Sequence, residues 1–473
     1  MYLGYRYGTF VSGLCWSGLP SDVREKTIDL VADWIANAAA GFDSQIGNAL
    51  FSLAETCGEK GKSLLLGNRQ TTSPLQAAMI NGGACHALEF DDAYRSGLYH
   101  PGAPVISAAW AAAGTTPVSG KAFLSSVVAG YEVSMRLADA VNPMHNQTWH
   151  TTGTIGTFGA AAGASACLGL DPAYTANALG LAGTQASGLW EILPDSPVSK
   201  GLHSGKAAQS GLMAALLSAR GISGPPAIFE GPRGVFNAMV PGEVNMAACT
   251  AGLGDEWRLT RTTIKAYPAC GHTMTAIEAA LKLTDTIDPA SIKAVEIRAH
   301  PLSVGIAGNM SPRTELEAKF SIAFCVAVTL VKKRVTLSEF APEILSDDDV
   351  NALLAKTTLI ADSRLTRRED QRPARVTLTL DNGSVLSEQS HIRKGDPEYP
   401  LNRAEMKDKF IGLVKGAWGV ETAASVFDAV KRLPEYDDVN TWVQQHLIPR
   451  QASRRDTPPV GGRQPEEHRS FKH

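Results

Sequence analysis

Between His86 and Pro104 the chain reads HALEFDDAYRSGLYHPGAP, with three carboxylates (Glu89, Asp91, Asp92) bracketed by two histidines, His86 and His100. Such groups can ligate a divalent metal, move protons as general acid and base, or solvate a helix end. His86, Glu89 and Asp92 stand at i, i+3 and i+6, a spacing that lines one face of a helix and offers nitrogen and oxygen to a cation. Imidazole changes charge near neutrality, which suits His100 to proton transfer. Acids at a helix C-terminus oppose the macrodipole, so a purely solvating role needs a compensating partner.

Three other segments add basic groups. QTWHTTGTIG (147–156) sets His150 just before Thr151 and Thr152, either of which can cap the helix that follows. SPVSKGLHSGKAAQSG (196–211) sets Lys200 and His203 ahead of a helix of small residues, and IKAYPACGHTMTAIEAA (264–280) sets Lys265 and His272 ahead of a third. A lone lysine or histidine of this kind is ordinarily solvated surface. Basic groups at three helix entrances, where backbone N–H groups already favour anions, describe instead a pocket for a small molecule bearing several carboxylates.

Cofactor signatures are missing. GEKGKS (58–63) resembles the end of a phosphate-binding loop, but Thr56 stands where the leading glycine belongs. GTIGTFG (153–159) has the wrong glycine spacing for a dinucleotide loop, and no strand precedes it. There is no G-x-S-x-G elbow. The seven cysteines are scattered without a C-x-x-C pair, which argues against disulfides, a zinc ribbon or an iron–sulfur cluster and suits a reducing compartment. A formal net charge of −3 gives no general attraction for nucleic acid or anionic lipid. No apolar run reaches the roughly 18 residues of a membrane span. The expectation is a cytoplasmic protein, with a mitochondrial matrix location open although the start is too poor in arginine for a convincing transit peptide. No metal and no cofactor is expected.

At 473 residues the chain exceeds what one core usually serves. Asp22 is placed to cap a helix through Ala40, and the patterning predicts further helices over 74–89, 103–115, 119–141, 152–168, 172–183 and 203–220. Many are built from Ala, Gly and Leu, the composition of helices whose axes approach closely inside a bundle. SGPPAIFEGPRG (223–234) breaks this pattern. KAVEIRAHP (293–301) and RVTLTLDNGSVLSEQ (375–389) then alternate like strands, the second around an Asp-Asn-Gly hairpin turn. Helices near 272–286, 314–332 and 346–356 complete an α+β unit. The expected fold is mainly α: residues 1–265 plus 402–447 form a large all-helical domain, 266–401 form an inserted, smaller α+β domain, and the polar, Pro/Gly-rich 448–473 form a disordered tail.

In order along the chain, HALEFDDAYRSGLYHPG, GYEVSMRLADA, WHTTGTIGTFGAAA, the segment from Ser199 to Ala219, FEGPRGVF, KAYPAC and EAKFSIAFCVAV resemble the recurrent blocks of the MmgE/PrpD family. That family contains 2-methylcitrate dehydratases, cis-aconitate decarboxylases and iminodisuccinate epimerase. The resemblance covers about residues 20–445. It implies that the inserted unit acts as a lid, that the protein is a homodimer, and that the reaction needs no metal. It also implies that His100, His150, Lys200 and Lys265 are catalytic, and that Glu89 opens the acidic motif with Asp91 beside it. The family's D-F-D-D-T is EFDDA here, so a threonine hydroxyl is lost at Ala93. Met274 stands where a histidine is often found, with His272 two residues earlier to substitute for it. The tyrosine of decarboxylase-type members corresponds to Phe324, which leaves a more apolar corner.

The shared step in such a family is moving a proton on a carbon beside a carboxylate, with Lys200 and Lys265 stabilising the developing charge. Glu89, Asp91, His203, His272 and Phe324 are read as substrate-binding or orienting residues. The expected activity is dehydration of 2-methylcitrate or a related alkylcitrate. The alternatives are epimerisation of a dicarboxylate such as iminodisuccinate, cis-aconitate decarboxylation, and a non-catalytic homologue that only binds carboxylates.

Overall fold

The computed structural model describes residues 1–192, 197–365 and 371–448. The tail expected over 448–473 lies outside the described residues apart from Ile448. The fold is mainly α. Helices Leu3–Gly13, Ser21–Ala40, Gln45–Cys57, Pro74–Ala87, Gly102–Ala113, Gly120–Val141, Thr151–Cys167, Pro172–Gly183 and Lys200–Ser218 follow one another. Much later, Arg403–Trp418, Val420–Val430 and Val439–His446 pack with them.

Small residues do what the composition implied. A Cβ at Gly205 would stand 2.4 Å from the Met79 carbonyl, so helices 200–218 and 74–87 touch backbone to backbone. Phe123, Tyr131, Phe158 and Ile155 fill the spaces between helices. One continuous core gathers apolar side chains from Leu3 to Ile264 and again from Met406 to Leu447. A second core runs from Ala269 to Leu378.

The second core lies on a four-stranded sheet with spatial order Thr357–Ala361, Ile292–Ala299, Ala374–Leu380, Val385–Ser390. The first pair is parallel (Val295 opposite Thr357) and the others antiparallel (Val295 opposite Leu378, Thr379 opposite Val385). Gly383 closes the hairpin with φ of 83°, a conformation glycine adopts without strain. Strand 357–361 was not expected. It follows a helix directly and TTLIA carries no clean alternation, so only its pairing with Ile292–Ala299 defines it. The helix expected over 314–332 is two, Glu315–Lys319 and Ile322–Lys332, because Ser321 caps the second by accepting from the Phe324 N–H. Among the described residues no helix is long and apolar enough to cross a membrane.

Candidate active site

Ser73 caps helix Pro74–Ala87, with proline at its first position, and the helix delivers His86 at its last turn. The chain then leaves the helix, and Glu89 takes a left-handed backbone, φ 57°. His86, Glu89 and Asp92 therefore do not share a helical face, contrary to the spacing argument. A non-glycine residue in this conformation costs roughly 1–2 kcal/mol. Offsetting it, the turned-over Glu89 carbonyl accepts from Lys265 Nζ at 2.8 Å, and its carboxylate pairs with Lys200 and, at 3.5 Å, with Lys265.

Downstream, a two-way backbone bridge joins Ala93 to Thr263 (2.9 and 2.8 Å), which carries Lys265 alongside the acidic loop. Tyr94 and Tyr99 close the loop that returns as His100. Asp92 fastens that return: its oxygens accept from the Gly102 N–H at 2.9 Å and the Tyr131 hydroxyl at 2.8 Å. His100 Nδ1 lies 2.8 Å from the Asp92 carbonyl and 3.4 Å from Asp91 Oδ2, and its N–H donates to Thr152 Oγ1 at 3.2 Å. That last bond ties the loop to the start of helix Thr151–Cys167, where His150 itself occupies the N-cap position. The His150 N–H donates to the Gly188 carbonyl at 2.9 Å. Its ring lies 4.3 Å from that of Trp190, and its Nδ1 is 3.1 Å from His203 Nδ1. Lys200 and His203 do not precede their helix as expected; they form its first turn.

Two further lysines, unremarked in the sequence, hold this arrangement. Buried Lys319 donates to the Leu88 carbonyl at 3.1 Å and pairs with Glu315 at 2.8 Å. Lys409, on helix Arg403–Trp418, donates to the Phe90 and Lys265 carbonyls, both at 2.9 Å, and pairs with buried Asp33. His86 is also part of the cluster. Its Nδ1 is 2.7 Å from Asp91 Oδ2, and its ring centroid lies 4.8 Å from that of His100 and 5.6 Å from that of His150.

Burial opposes ionisation of Glu89, yet Lys200 and Lys265 hold its carboxyl well below the usual range. His86 and His100 do the same for buried Asp91. Asp92 behaves oppositely: burial and the neighbouring Asp91 push it up to about 7. Burial lowers His100 and His203 to about 4, and His150 well below its ordinary value. The imidazoles of His100, His150 and His203 are thus neutral at pH 7. The two ammonium groups on Glu89 are matched by two ionised carboxylates, so the site gains net positive character only by taking up protons.

A cleft of about 800 Å³ opens onto the cluster, lined by His86, Glu89, Lys200 and Gly201 on one side and by Thr314, Leu316 and Lys319 on the other. His272 stands apart, its Nδ1 3.2 Å from Ser303 Oγ and its ring under the positive charge of Arg393 and Arg372. Phe324 is buried in the second core against Phe340 and does not line the cleft. Among the described residues His86, Asp91 and His100 are close enough to share an ion. They fit one poorly: Asp91 Oδ2 already faces both rings, and the Lys265 ammonium lies 3.9 Å from its other oxygen.

The MmgE/PrpD N-terminal domain model matches residues 6–247, and the MmgE/PrpD C-terminal domain model matches residues 267–433. The chain belongs to the MmgE/PrpD family. Among its relatives is the cis-aconitate decarboxylase-like protein oryM of Aspergillus oryzae, 28% identical over 458 residues, which cover 91% of this chain and 94% of the relative. Human cis-aconitate decarboxylase is 24% identical over 456 residues, 91% of this chain and 92% of the relative. The 2-methylcitrate dehydratase of Cupriavidus necator is 26% identical over 374 residues, 74% of this chain and 75% of the relative. Of the residues singled out in sequence, Glu89, Asp91, His100, His150, Lys200, His203 and Lys265 meet in this MmgE/PrpD chain, while His272 and Phe324 do not join them.

Proposed function

We propose that the protein is a lyase acting on a tricarboxylic acid, and that it removes water from 2-methylcitrate or a related alkylcitrate by His/Lys acid–base chemistry without a metal. The observation that supports this reading is the meeting of Lys200 and Lys265 on one buried carboxylate, beside several neutral imidazoles.

A carbon-bound proton beside a carboxylate is very weakly acidic. Removing it near neutral pH requires cationic donors already aimed at the oxygens that gain charge. Lys200 and Lys265 meet that requirement once substrate oxygens compete for them with Glu89. His100 donates through Nδ1 to the Asp92 carbonyl, which leaves its Nε2 as a lone pair facing the site as an acceptor. Between the facing Nδ1 atoms of His150 and His203 only one proton fits. When His203 holds it, the His150 proton sits on Nε2; with a further proton taken up by His203 as the substrate binds, His150 passes its Nε2 proton to a departing hydroxyl while receiving the shared one at Nδ1, so no imidazolate forms. The products are water and an unsaturated tricarboxylate.

The match to the decarboxylase-like relative over 91% of the chain favours a second reading, loss of carbon dioxide from cis-aconitate. Proton NMR in heavy water separates the two. The enzyme is supplied in turn with 2-methylcitrate, other alkylcitrates, citrate, cis-aconitate and iminodisuccinate. Water loss from an alkylcitrate is expected. Carbon dioxide release from cis-aconitate alone selects the second reading, and deuterium exchange into iminodisuccinate without other change selects epimerisation. Binding without any turnover refutes a lyase.

A further inference from the structure

The resemblance assigns proton chemistry to His100 and His150, yet a third imidazole is held in the same cluster. His86 is 2% exposed at the end of helix Pro74–Ala87. Its Nδ1 lies 2.7 Å from Asp91 Oδ2, and an ionised carboxylate only accepts, so Nδ1 carries the hydrogen and Nε2 is a bare lone pair. That Nε2 is buried with no hydrogen-bond partner among the described residues. Leaving such a nitrogen unpartnered is costly, so it calls for a polar or acidic group that reaches it through the cleft. His86 is among the residues that line the 800 Å³ cleft, with Lys200 and Lys319, its side chain just beneath the surface. His100, though close, is not among the residues lining it.

We infer that His86 is a further catalytic residue, the base that takes the carbon-bound proton of the substrate, with Asp91 orienting it. The inference rests on the proposed lyase reading. In the step, the substrate C–H bond breaks and an Nε2–H bond forms on His86. The released electron pair becomes the second bond of the alkene as the hydroxyl leaves with a proton from His150. The imidazolium on His86 then returns its proton to solvent, His150 is reprotonated, and the sum is substrate to alkene plus water. The shared carboxylate favours His86 over His100: Asp91 Oδ2 lies 2.7 Å from His86 Nδ1 but 3.4 Å from His100 Nδ1, whose nearer partner is the Asp92 backbone carbonyl, so an imidazolium on His86 is the better stabilised.

The test uses the full-length protein, its His86→Gln variant and a His86→Gly variant. Turnover and deuterium exchange at the substrate carbon are followed by NMR with the same acids. Thermal unfolding and calorimetric binding of citrate confirm that each variant folds and binds. His86→Gln should bind but lose about 10²–10⁴-fold in kcat together with the exchange. Added imidazole should restore part of the rate to His86→Gly. A His86→Gln variant within a few-fold of the parent in kcat and exchange overturns the assignment. Should the parent release no product, the lyase reading falls, and exchange alone then judges His86. Exchange lost in the variant upholds it as a base, and exchange equal in both, or absent from the parent, overturns it. A His86→Gln protein that fails to fold moves the decision to His86→Gly, where absence of imidazole rescue counts against the role.

Discussion

Asp92 offers a test of the site's electrostatics that does not require a substrate. It is buried, accepts from Gly102 N–H and Tyr131 hydroxyl, and is pushed up to about 7 by burial and by Asp91. An unfolded aspartate titrates near ~3.9. Between those values the folded chain binds a proton that the unfolded chain does not, so this group's stabilising contribution is full near pH 4 and is lost as pH rises through 7. From pH 5 to pH 8 the loss amounts to about 3 kcal/mol. Asn at position 92 keeps an acceptor for Gly102 and never ionises, although Tyr131 loses its acceptor at a cost of about 1 kcal/mol. Asp92→Asn should therefore be slightly less stable than the parent at pH 5 and more stable, by roughly 2 kcal/mol, at pH 8. The assay is the thermal unfolding midpoint of both proteins at the two pH values. All other titrating groups are common to both chains and cancel in the difference. A gap between the proteins that is unchanged from pH 5 to pH 8, or that moves against the variant at pH 8, refutes the reasoning.

Glu89→Gln leaves Lys200 and Lys265 buried without their shared counter-charge; a loss of about 3–5 kcal/mol, read by denaturant unfolding, is expected together with loss of turnover. Gly102→Ala sets a methyl group 2.5 Å from Asp92 Oδ1 and 2.9 Å from the Tyr131 oxygen, so the loop carrying His100 must shift. A cost of about 1–3 kcal/mol and a fall in kcat should appear together, and an unperturbed variant would contradict the close fit. Binding of a tricarboxylate beside His100 and His203, both neutral at pH 7 because burial lowers them to about 4, should draw protons onto these rings. Calorimetry in buffers of different ionisation enthalpy should then show net proton uptake, and buffer-independent heats would reject it.

Local chemistry was readable where it acts over a few residues. Asp171 caps its helix ahead of Pro172, Ser119 caps Gly120–Val141, and Asp381-Asn382-Gly383 turns the hairpin, each for reasons present in the string itself. The acidic stretch was legible as a concentration of chemistry but not as geometry. Glu89 has no intrinsic preference for positive φ, and only its contacts with Lys200 and Lys265, more than a hundred residues away, hold it there. His86 was visible only as one member of a ligand spacing, because its pairing with Asp91 needs the helix to end between them. Lys319 and Lys409 look like ordinary helix lysines, and their backbone-carbonyl partners leave no trace in composition. Phe324 shows the opposite error, since a position in a recognisable block need not face the cleft.

Lys409 reaches back across the chain to the carbonyls of Phe90 and Lys265 and to the carboxylate of Asp33. A ribosome releasing this polypeptide from its N-terminus has made all the acid–base groups well before helix Arg403–Trp418 emerges. Until then the early helices can associate, but Asp33 lies uncompensated and the acidic loop lacks its final clasp. Closure of the acidic loop thus waits on helix Arg403–Trp418, among the last elements to be made.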